Sequence, residues 1–190
     1  MSATLRGERV TLRQWRDADL DPFAAMGVDA DVMRHMRAPL TRAESDALVA
    51  RARAHIDAHG FGLWALEVPG IGFAGFVGLA KVPFAIPSGA GIDSAEGHEI
   101  GWRLARAAWG HGYATEAARL ALTHGFEVVG LAQIVSFAAL DNRASIAVME
   151  RIGLTRRGEF DHPRLAPDHR SYRHVLYAQE RAPQRTEERR

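Results

Sequence analysis

The hydrophobic residues of the chain follow two periods, which divide it into strands and helices. A period of two predicts strands at 8–15, 61–68, 73–82, 98–104, 134–140, 154–160 and 173–178. A period of 3.6 predicts helices at 17–26, 41–60, 114–130 and 142–153. Thr41 and Glu44 have the spacing of a capping box at the start of the second helix. The Gly-, Pro- and Ser-rich stretch 83–97 predicts a loop, and the whole order predicts an α/β fold.

A glycine-bearing turn lies between the strand at 98–104 and the helix at 114–130. Gly110 and Gly112 stand in this turn, between Trp109 and Tyr113. The first N–H groups of a helix have no intrahelical partner, and the helix dipole is positive at that end. These donors predict a site for a phosphate-bearing ligand. The turn alone is weak support, because glycine is common before helices for conformational reasons.

A second block of the same kind follows downstream. The apolar strand at 134–140 leads into Asp141 and Asn142, which are typical helix-capping residues. The helix that they begin carries Ser145 and closes at Gly153. The order of strand, phosphate-type turn, helix, strand and Asn-capped helix strengthens the interpretation of the turn.

Together the two blocks resemble the GNAT acyltransferase superfamily. The first reads Glu-Ile-Gly-Trp…Trp-Gly-x-Gly-Tyr-Ala-Thr-Glu-Ala, and the second reads Asn-x-x-Ser-Ile-x-Val-Met-Glu-x-x-Gly-Leu. Within the superfamily the chain is similar to the RimJ/RimL type of ribosomal-protein acetyltransferases, from Glu8 to Tyr177. The resemblance implies a central mixed sheet with two splayed parallel strands, flanked by helices. We expect a single GNAT domain at 1–180 and a polar tail at 181–190.

The resemblance implies acetyl-CoA, or another acyl-CoA, as co-substrate. By this resemblance, the pantetheine arm of the acyl-CoA is expected along the exposed strand edge near 102–104. The pyrophosphate is expected on the turn at 107–114, where the backbone N–H groups of 109–113 would donate hydrogen bonds to it. The chain departs from the family at Ala107, where the family has Gln or Arg, so a side-chain contact is lost there. The implied cofactor-binding residues are Trp102, Arg103, Leu104, Trp109, Gly110, His111, Gly112, Tyr113, Ala114, Thr115 and Asn142.

Acyl transfer to an amine requires proton transfers that the resemblance assigns to two side chains. An ammonium group with a pKa of about 10 is not nucleophilic, so a base must act, and Glu99 beside the splay is the candidate. A salt-bridged strand carboxylate is the alternative interpretation of Glu99. The leaving thiolate needs a proton, and many family members supply it from a tyrosine where this chain has Met149. Ser145 is therefore the candidate acid, and an ordinary capping-region serine is the alternative.

Composition narrows the class of protein. Hydrophobic residues make up 47% of the 190 residues, and the formal net charge of +1 predicts no nucleic-acid surface. Cysteine is absent, which excludes disulfides and thiolate metal sites, and the histidines at 162–174 match no metal-ligand spacing. These histidines, with His35 and Met36, are instead candidates for the acceptor rim. Because no apolar segment is long enough to span a membrane and no leader pattern is present, we expect a cytoplasmic protein that binds no membrane. We also expect no bound metal. The exposed strands predicted late in the chain favour a homodimer.

Three functions remain open from the sequence. The first is an N-acetyltransferase that acts on the primary amine of a protein N-terminus or a small molecule, by direct attack in a ternary complex. The second keeps the fold but acetylates an antibiotic, a polyamine or an amino acid. The third is a coenzyme-A-binding module with weak catalysis, which the residues Ala107 and Met149 favour. Thioester turnover with any amine separates the third function from the first two.

Overall fold

The computed structural model of the protein describes residues 3–86 and 97–182. Within these residues eight strands form one sheet. In chain order the strands are β1 (Leu5–Arg6), β2 (Thr11–Arg13), β3 (Leu63–Val68), β4 (Gly72–Lys81), β5 (His98–Leu104), β6 (Gln133–Ala139), β7 (Thr155–Asp161) and β8 (Arg173–Glu180).

Helices connect the strands and pack on the sheet. The described α-helices are α1 (Leu20–Val28), α2 (Arg42–His59), α3 (Tyr113–Thr123) and α4 (Arg143–Arg151). Short 3-10 turns occupy Asp17–Asp19 and Arg106–Ala108, and a π-helical segment, His124–Val129, continues α3. The predicted capping box begins α2, since the Thr41 hydroxyl accepts from the Glu44 N–H and the Glu44 carboxylate accepts from the Thr41 N–H.

The sheet has the order β1–β2–β3–β4–β5–β6–β8–β7. Neighbouring strands are antiparallel except β5 and β6, which run parallel. Their register pairs His98 with Ile134 and Glu99 with Val135, and no pairing continues along the described strands beyond these residues. The predicted mixed α/β sheet is therefore confirmed, and its two central parallel strands diverge within β5.

Helices cover both faces of the sheet. On one face α3 contacts β4 and β5, and α4 contacts β6 and α3. The π-helical segment lies close to this face, because a Cβ at Gly125 would stand only 2.8 Å from side-chain atoms of both Leu79 and Ile134. On the other face α1 packs on β4, where Phe23 meets Phe76 at 5.9 Å between ring centroids. Buried residues from both faces form the main core.

The beginning of the chain differs from its prediction. In place of one strand at 8–15, β1 and β2 form a short hairpin in which Leu5 pairs with Leu12. The first helix begins at Leu20 rather than at residue 17, because Asp17–Asp19 forms a 3-10 turn. Asp19 is buried in an ion pair with Arg13, whose Nη1 lies 2.7 Å from Asp19 Oδ2, and this pair holds the turn against β2.

The remaining elements lie close to their predictions, with one internal change. The helix expected at 114–130 is α-helical only to Thr123 and π-helical beyond it, and Gly130 ends it at φ 80° as expected. The predicted loop falls largely on 87–96 and the predicted tail largely on 183–190, and both ranges lie outside the described residues. Across 3–86 and 97–182, no helix is long and apolar enough to cross a membrane.

Candidate functional site

A cavity of about 1310 Å³ opens where β5 and β6 diverge. The end of β5, the turn before α3, the first turn of α4 and the segment 31–36 line it. His111 and Glu99 are predicted site residues that are not among its lining residues. The predicted residues that do line it are Trp102, Arg103, Leu104, Trp109, Gly110, Gly112, Tyr113, Ala114, Thr115, Asn142 and Ser145. The structure therefore brings together most of the two sequence blocks.

The turn before α3 presents free backbone donors to this cavity. Gly110 and Gly112 have φ of 79° and 80°, a left-handed conformation that a residue with a Cβ rarely adopts. Gly112 is also the N-cap of α3, so the positive end of the helix dipole lies here. Among the described residues, none accepts a hydrogen bond from the backbone N–H groups of 110–113. These donors suit a phosphate-bearing ligand.

The backbone of Trp109 does not take the role of phosphate donor that was predicted for it in this turn. Its backbone N–H donates to the carbonyl of Arg106 at 3.0 Å, because the 3-10 turn Arg106–Ala108 ends there. The N–H of Trp109 is therefore not a free phosphate donor. Its indole Nε1 donates to the carbonyl of Leu104 at 2.8 Å, and the ring is 45% exposed at the mouth of the cavity.

The exposed edge of β5 is narrower than predicted. The N–H of Ala105 donates to the carbonyl of Ala74, on the β4 side of the strand. Because peptide groups alternate along a strand, the N–H and C=O of Arg103 also point toward β4, and those of Trp102 and Leu104 point toward the cleft. The carbonyl of Leu104 is taken by Trp109. The backbone groups of Arg103 thus face β4 rather than the cleft, and those of Trp102 have no partner among the described residues, so pairing of a pantetheine arm with this edge stays a prediction that Trp102 suits best.

Arg9 is a site residue that the sequence interpretation missed. Its Nη1 donates to the carbonyl of His111 at 3.0 Å, and its guanidinium lies 5.4 Å from the centre of the Tyr113 ring. Its Nε pairs with Glu116 Oε2 at 2.9 Å, and its backbone N–H donates to Glu116 Oε1 at 2.7 Å. A positive charge from the first hairpin therefore stands beside the glycine turn, a contact between distant parts of the chain that no local motif reveals.

Asn142 and Ser145 meet at the start of α4. Asn142 is the N-cap, and its Oδ1 accepts from the backbone N–H of Ser145 at 3.2 Å. Because the cap uses only the oxygen, the Nδ2 group of Asn142 remains available as a donor. Both side chains are partly exposed and line the cavity. Met149, at the position where many family members have a tyrosine, is fully buried.

Glu99 lies at the last paired position of β5 and β6, on the face of the sheet opposite α3. Its Oε1 lies 3.7 Å from the position that a Cβ of Gly101 would occupy. Burial raises the pKa of the Glu99 carboxyl from 4.5 to about 8. No salt bridge with a described residue holds this carboxylate, which disfavours the alternative of a structural ion pair.

Residues of the segment 31–36 line another part of the cavity wall, and Asp31 at its start pairs with Arg106 of the 3-10 turn. His35 Nδ1 lies 3.2 Å from Asp141 Oδ1, and Asp141 also pairs with Arg170 at 2.9 Å. Burial lowers the pKa of His35 despite the carboxylate, so the imidazole is neutral near pH 7. Met36 contributes its sulfur to the same wall, where Arg103 Nη2 lies 3.2 Å from it.

Two of the late histidines, His162 and His174, lie in an aromatic cluster and are not among the residues that line the cavity. His162 and His174 have ring centroids 4.8 Å apart and pack among Phe84, Phe137 and Phe160. Burial lowers the pKa of His174 to about 4, so this histidine is a neutral member of an aromatic cluster. In the part of the chain that the structure describes, no group of three His, Cys, Asp or Glu residues is placed to hold a metal ion.

Comparison with known proteins agrees with this geometry. The family model described as an acetyltransferase (GNAT) domain matches residues 9–155, so the chain belongs to the GNAT acetyltransferase family. The uncharacterized protein YkkB of Bacillus subtilis is 31% identical over 149 residues, which cover 77% of this chain and 82% of YkkB. The FsC-acetyl coenzyme A-N(2)-transacetylase of Aspergillus fumigatus is 39% identical over 97 residues, covering 50% of this chain and 40% of that protein.

Solved structures show the same fold. An acetyltransferase from Agrobacterium tumefaciens has a TM-score of 0.73 at 26% identity and covers 95% of each chain. The ribosomal L7/L12 α-N-protein acetyltransferase RimL, in complex with coenzyme A, has a TM-score of 0.73 at 17% identity, covering 94% of this chain and 98% of RimL. The second likeness concerns the fold alone. With the family match, the protein is an acyl-CoA-dependent N-acyltransferase of the GNAT family.

Proposed function

We propose that this protein transfers an acetyl group from acetyl-CoA to a primary amine, carried by a protein N-terminus or a small molecule, in a ternary complex. The observation that carries the proposal is the cavity where β5 and β6 diverge, with N–H donors at 110–113 that have no acceptor among the described residues, and with Glu99 at the last paired position of the two strands. The two sequence blocks also support placing the protein in the RimJ/RimL branch. A cytoplasmic location and a homodimer stay predictions.

The cofactor residues act in this proposal by position and charge. The N–H groups of the turn and the Arg9 guanidinium bind the pyrophosphate, which is the anion expected at a helix N-terminus. The open N–H and C=O of Trp102 and the Nδ2 of Asn142 bind the pantetheine amides. Bound acetyl-CoA supplies an activated thioester, which an amine attacks without a covalent enzyme intermediate.

Glu99 and Ser145 serve as proton acceptor and donor in this proposal. A carboxyl with a pKa of about 8 is deprotonated above that pH and can then accept a proton from an ammonium group, directly or through one water. The Ser145 hydroxyl is the candidate donor to the leaving thiolate, because Ser145 lines the cavity at the start of α4. Glu99 takes one proton from the ammonium, and the free amine attacks the thioester carbonyl to form the C–N bond. The C–S bond then breaks, the nitrogen loses its second proton, and the departing sulfur gains a proton through the Ser145 hydroxyl, which gives an amide and the coenzyme A thiol.

Acetyl-CoA binding tests the proposal directly. Calorimetry with the wild type should detect saturable 1:1 binding, and Gly112→Trp should abolish it, because the indole would cover the donors of the turn. Gly70→Trp is the matched control, since Gly70 has φ 83° but lies in the exposed β3–β4 turn outside the cavity. Equal binding by wild type and Gly112→Trp, or no binding of acetyl-CoA and longer acyl-CoA thioesters, contradicts the proposal.

Turnover separates the enzyme from a coenzyme-A-binding module. Release of free coenzyme A thiol is followed with acetyl-CoA and a panel of amines that includes peptides with free N-termini, polyamines, aminoglycosides and amino acids. Amine-dependent thiol release supports the transferase. Tight acetyl-CoA binding without amine-dependent release contradicts it.

A further inference from the structure

Arg103 has a buried guanidinium on the face of β5 that carries Glu99. Side chains alternate along a strand, so Glu99, Gly101 and Arg103 share one face. Phe76 of β4 lies opposite Arg103 in register, and the guanidinium lies 5.5 Å from the centre of its ring. This face is the one that α1 covers, and Arg103 also lines the cavity. Its side chain thus lies on the face of β5 opposite the one that α3 covers.

The donors of Arg103 are poorly satisfied. Among the described residues, the one acceptor that Nη2 meets is the sulfur of Met36, at 3.2 Å, and a thioether is a weak acceptor. Nε and Nη1 are buried and have no acceptor among the described residues. Burial lowers the pKa of Arg103 to about 10, which still leaves the group charged near neutral pH.

A buried arginine elsewhere in the described chain shows what Arg103 lacks. Arg13 is 6% exposed and bonds to Asp19 and Glu67, at 2.7 and 2.6 Å. Arg103 has no carboxylate within ion-pair distance in the described residues. A charge out of water without a partner is costly, so its presence in a ligand-sized cavity indicates that an anion completes it.

Gly101 leaves space between Arg103 and Glu99. A Cβ placed there would have Glu99 Oε1, at 3.7 Å, as its one described neighbour within 4 Å. At about 3.3 Å of rise per residue, the Cα atoms of Glu99 and Arg103 are roughly 13 Å apart, and both side chains shorten this span. A small molecule can therefore present one end to the carboxyl and the other to the guanidinium.

We propose that Arg103 binds a carboxylate on the amine acceptor, so that the acceptor is a small molecule that carries both a primary amine and a carboxylate, as an amino acid does. The guanidinium fork holds the carboxylate, and Gly101 forms the floor over which the amine reaches Glu99 and the thioester. The proposal rests on the acetyltransferase function and names its substrate class.

Matched amines test the substrate class. Thiol release from acetyl-CoA is measured with amino acids, with their carboxamides and with the corresponding decarboxylated amines. At least one carboxylated compound should exceed its carboxamide by about tenfold or more in kcat/KM, the factor that corresponds to 1.4 kcal/mol. Equal rates within every matched set overturn the proposal, as does turnover of polyamines or peptides with no carboxylated small molecule accepted.

Two variants assign the preference to Arg103. Arg103→Met keeps the apolar contacts with Phe76 and Met36 and removes the charge, and Arg103→Lys keeps the charge without the fork. Both should raise KM for the carboxylated acceptor about tenfold or more, leave kcat/KM for its carboxamide unchanged, and leave the Kd of acetyl-CoA unchanged. Arg37→Met, an exposed change of equal charge next to Met36, should alter none of these quantities.

The melting temperature distinguishes binding of the acceptor by Arg103 from a purely structural role of this residue. Because Arg103 is unpaired, Arg103→Met should melt at a temperature no lower than the wild type. A large fall in melting temperature, or equal losses with acid and carboxamide, overturns the proposal and assigns Arg103 to packing. Failure of the wild type to bind acetyl-CoA would instead contradict the acetyltransferase function itself, so the two failures are distinguishable.

Discussion

Ser136 Oγ donates a buried hydrogen bond of 2.9 Å to the carbonyl oxygen of Ile100. This bond joins β6 to β5 one residue beyond the last backbone pairing, between Glu99 and Val135. The carbonyl of Ile100 points toward β6, where the diverging strand no longer offers a backbone N–H. A hydroxyl that reaches across satisfies this carbonyl and marks the point at which the cavity opens.

Removal of this hydroxyl should destabilise the protein. Ser136→Ala leaves a buried carbonyl without its donor, which costs about 1–2 kcal/mol of unfolding free energy. Urea denaturation measures this loss as a lower midpoint at an unchanged slope. Ser45→Ala is the matched control, because the Ser45 hydroxyl is equally buried but has no partner among the described residues. Similar losses in both variants would show that the bond to Ile100 contributes nothing.

Local motifs explain why much of the fold could be predicted from the sequence. The capping box of Thr41 and Glu44, the helix end at Gly130 and the cap at Asn142 depend on residues a few positions apart. The opening strand and the first helix depend instead on tertiary contacts, above all on the pair of Arg13 with Glu67 of β3, which holds the side chain that Asp19 also binds. Alternating hydrophobicity at 8–15 carries no information about that pair, so both boundaries were wrong.

The features of the candidate site are likewise of two kinds, those set by local sequence and those set by tertiary packing. The glycine turn and the Asn142 cap are local signals, and the structure brings both to one cavity. The position of Arg9 beside His111 depends on how the first hairpin packs against α3, which lies far away along the chain. The unpaired donors of Arg103 likewise depend on which side chains surround it. Such properties come from tertiary packing and have no pattern in the sequence.

The rate of acetyl transfer should report the ionisation of Glu99. The base must be deprotonated, so kcat/KM should rise with pH until the pH passes the pKa of about 8. Glu99→Gln should lower kcat by about 10²-fold and remove this step, while it leaves the Kd of acetyl-CoA unchanged. A pH–rate profile of both proteins with one amine distinguishes the ionisation of Glu99 from that of the amine. A profile that Glu99→Gln leaves intact contradicts the role of base.

The free energy of unfolding should also depend on the ionisation of Glu99, but it should fall as the pH rises. The pKa of Glu99 is 4.5 unfolded and about 8 folded, so the folded state binds the proton more tightly. Its contribution to unfolding free energy is fully present below pH 4.5 and is lost as the pH rises to about 8. Relative to Glu99→Gln, the wild type should therefore lose stability across this range in urea titrations. Parallel curves for the two proteins would show that the carboxyl is not perturbed.

Asn142 should reveal two separable roles. Asn142→Asp keeps the capping oxygen but loses the Nδ2 donor, and Asn142→Ala loses both. We expect Asp to retain the melting temperature and Ala to lose about 1 kcal/mol of unfolding free energy, whereas both weaken acetyl-CoA binding. Calorimetry and thermal melts on the same preparations measure the two effects. Wild-type affinity in Asn142→Asp would limit Asn142 to capping.

Arg9 should contribute to acyl-CoA binding through its charge. Arg9→Gln removes a half-exposed cation beside the turn, and we expect the Kd of acetyl-CoA to rise about fivefold, or about 1 kcal/mol, at low salt and less at high salt. Glu116 pairs with Arg9 and also lines the cavity, so Glu116→Gln removes the negative neighbour while the cation stays. If Arg9 acts on the phosphates, Glu116→Gln should bind acetyl-CoA as tightly as the wild type or more tightly. If the ion pair merely positions the turn, both variants should weaken binding alike, so calorimetry at two salt concentrations decides between charge and positioning.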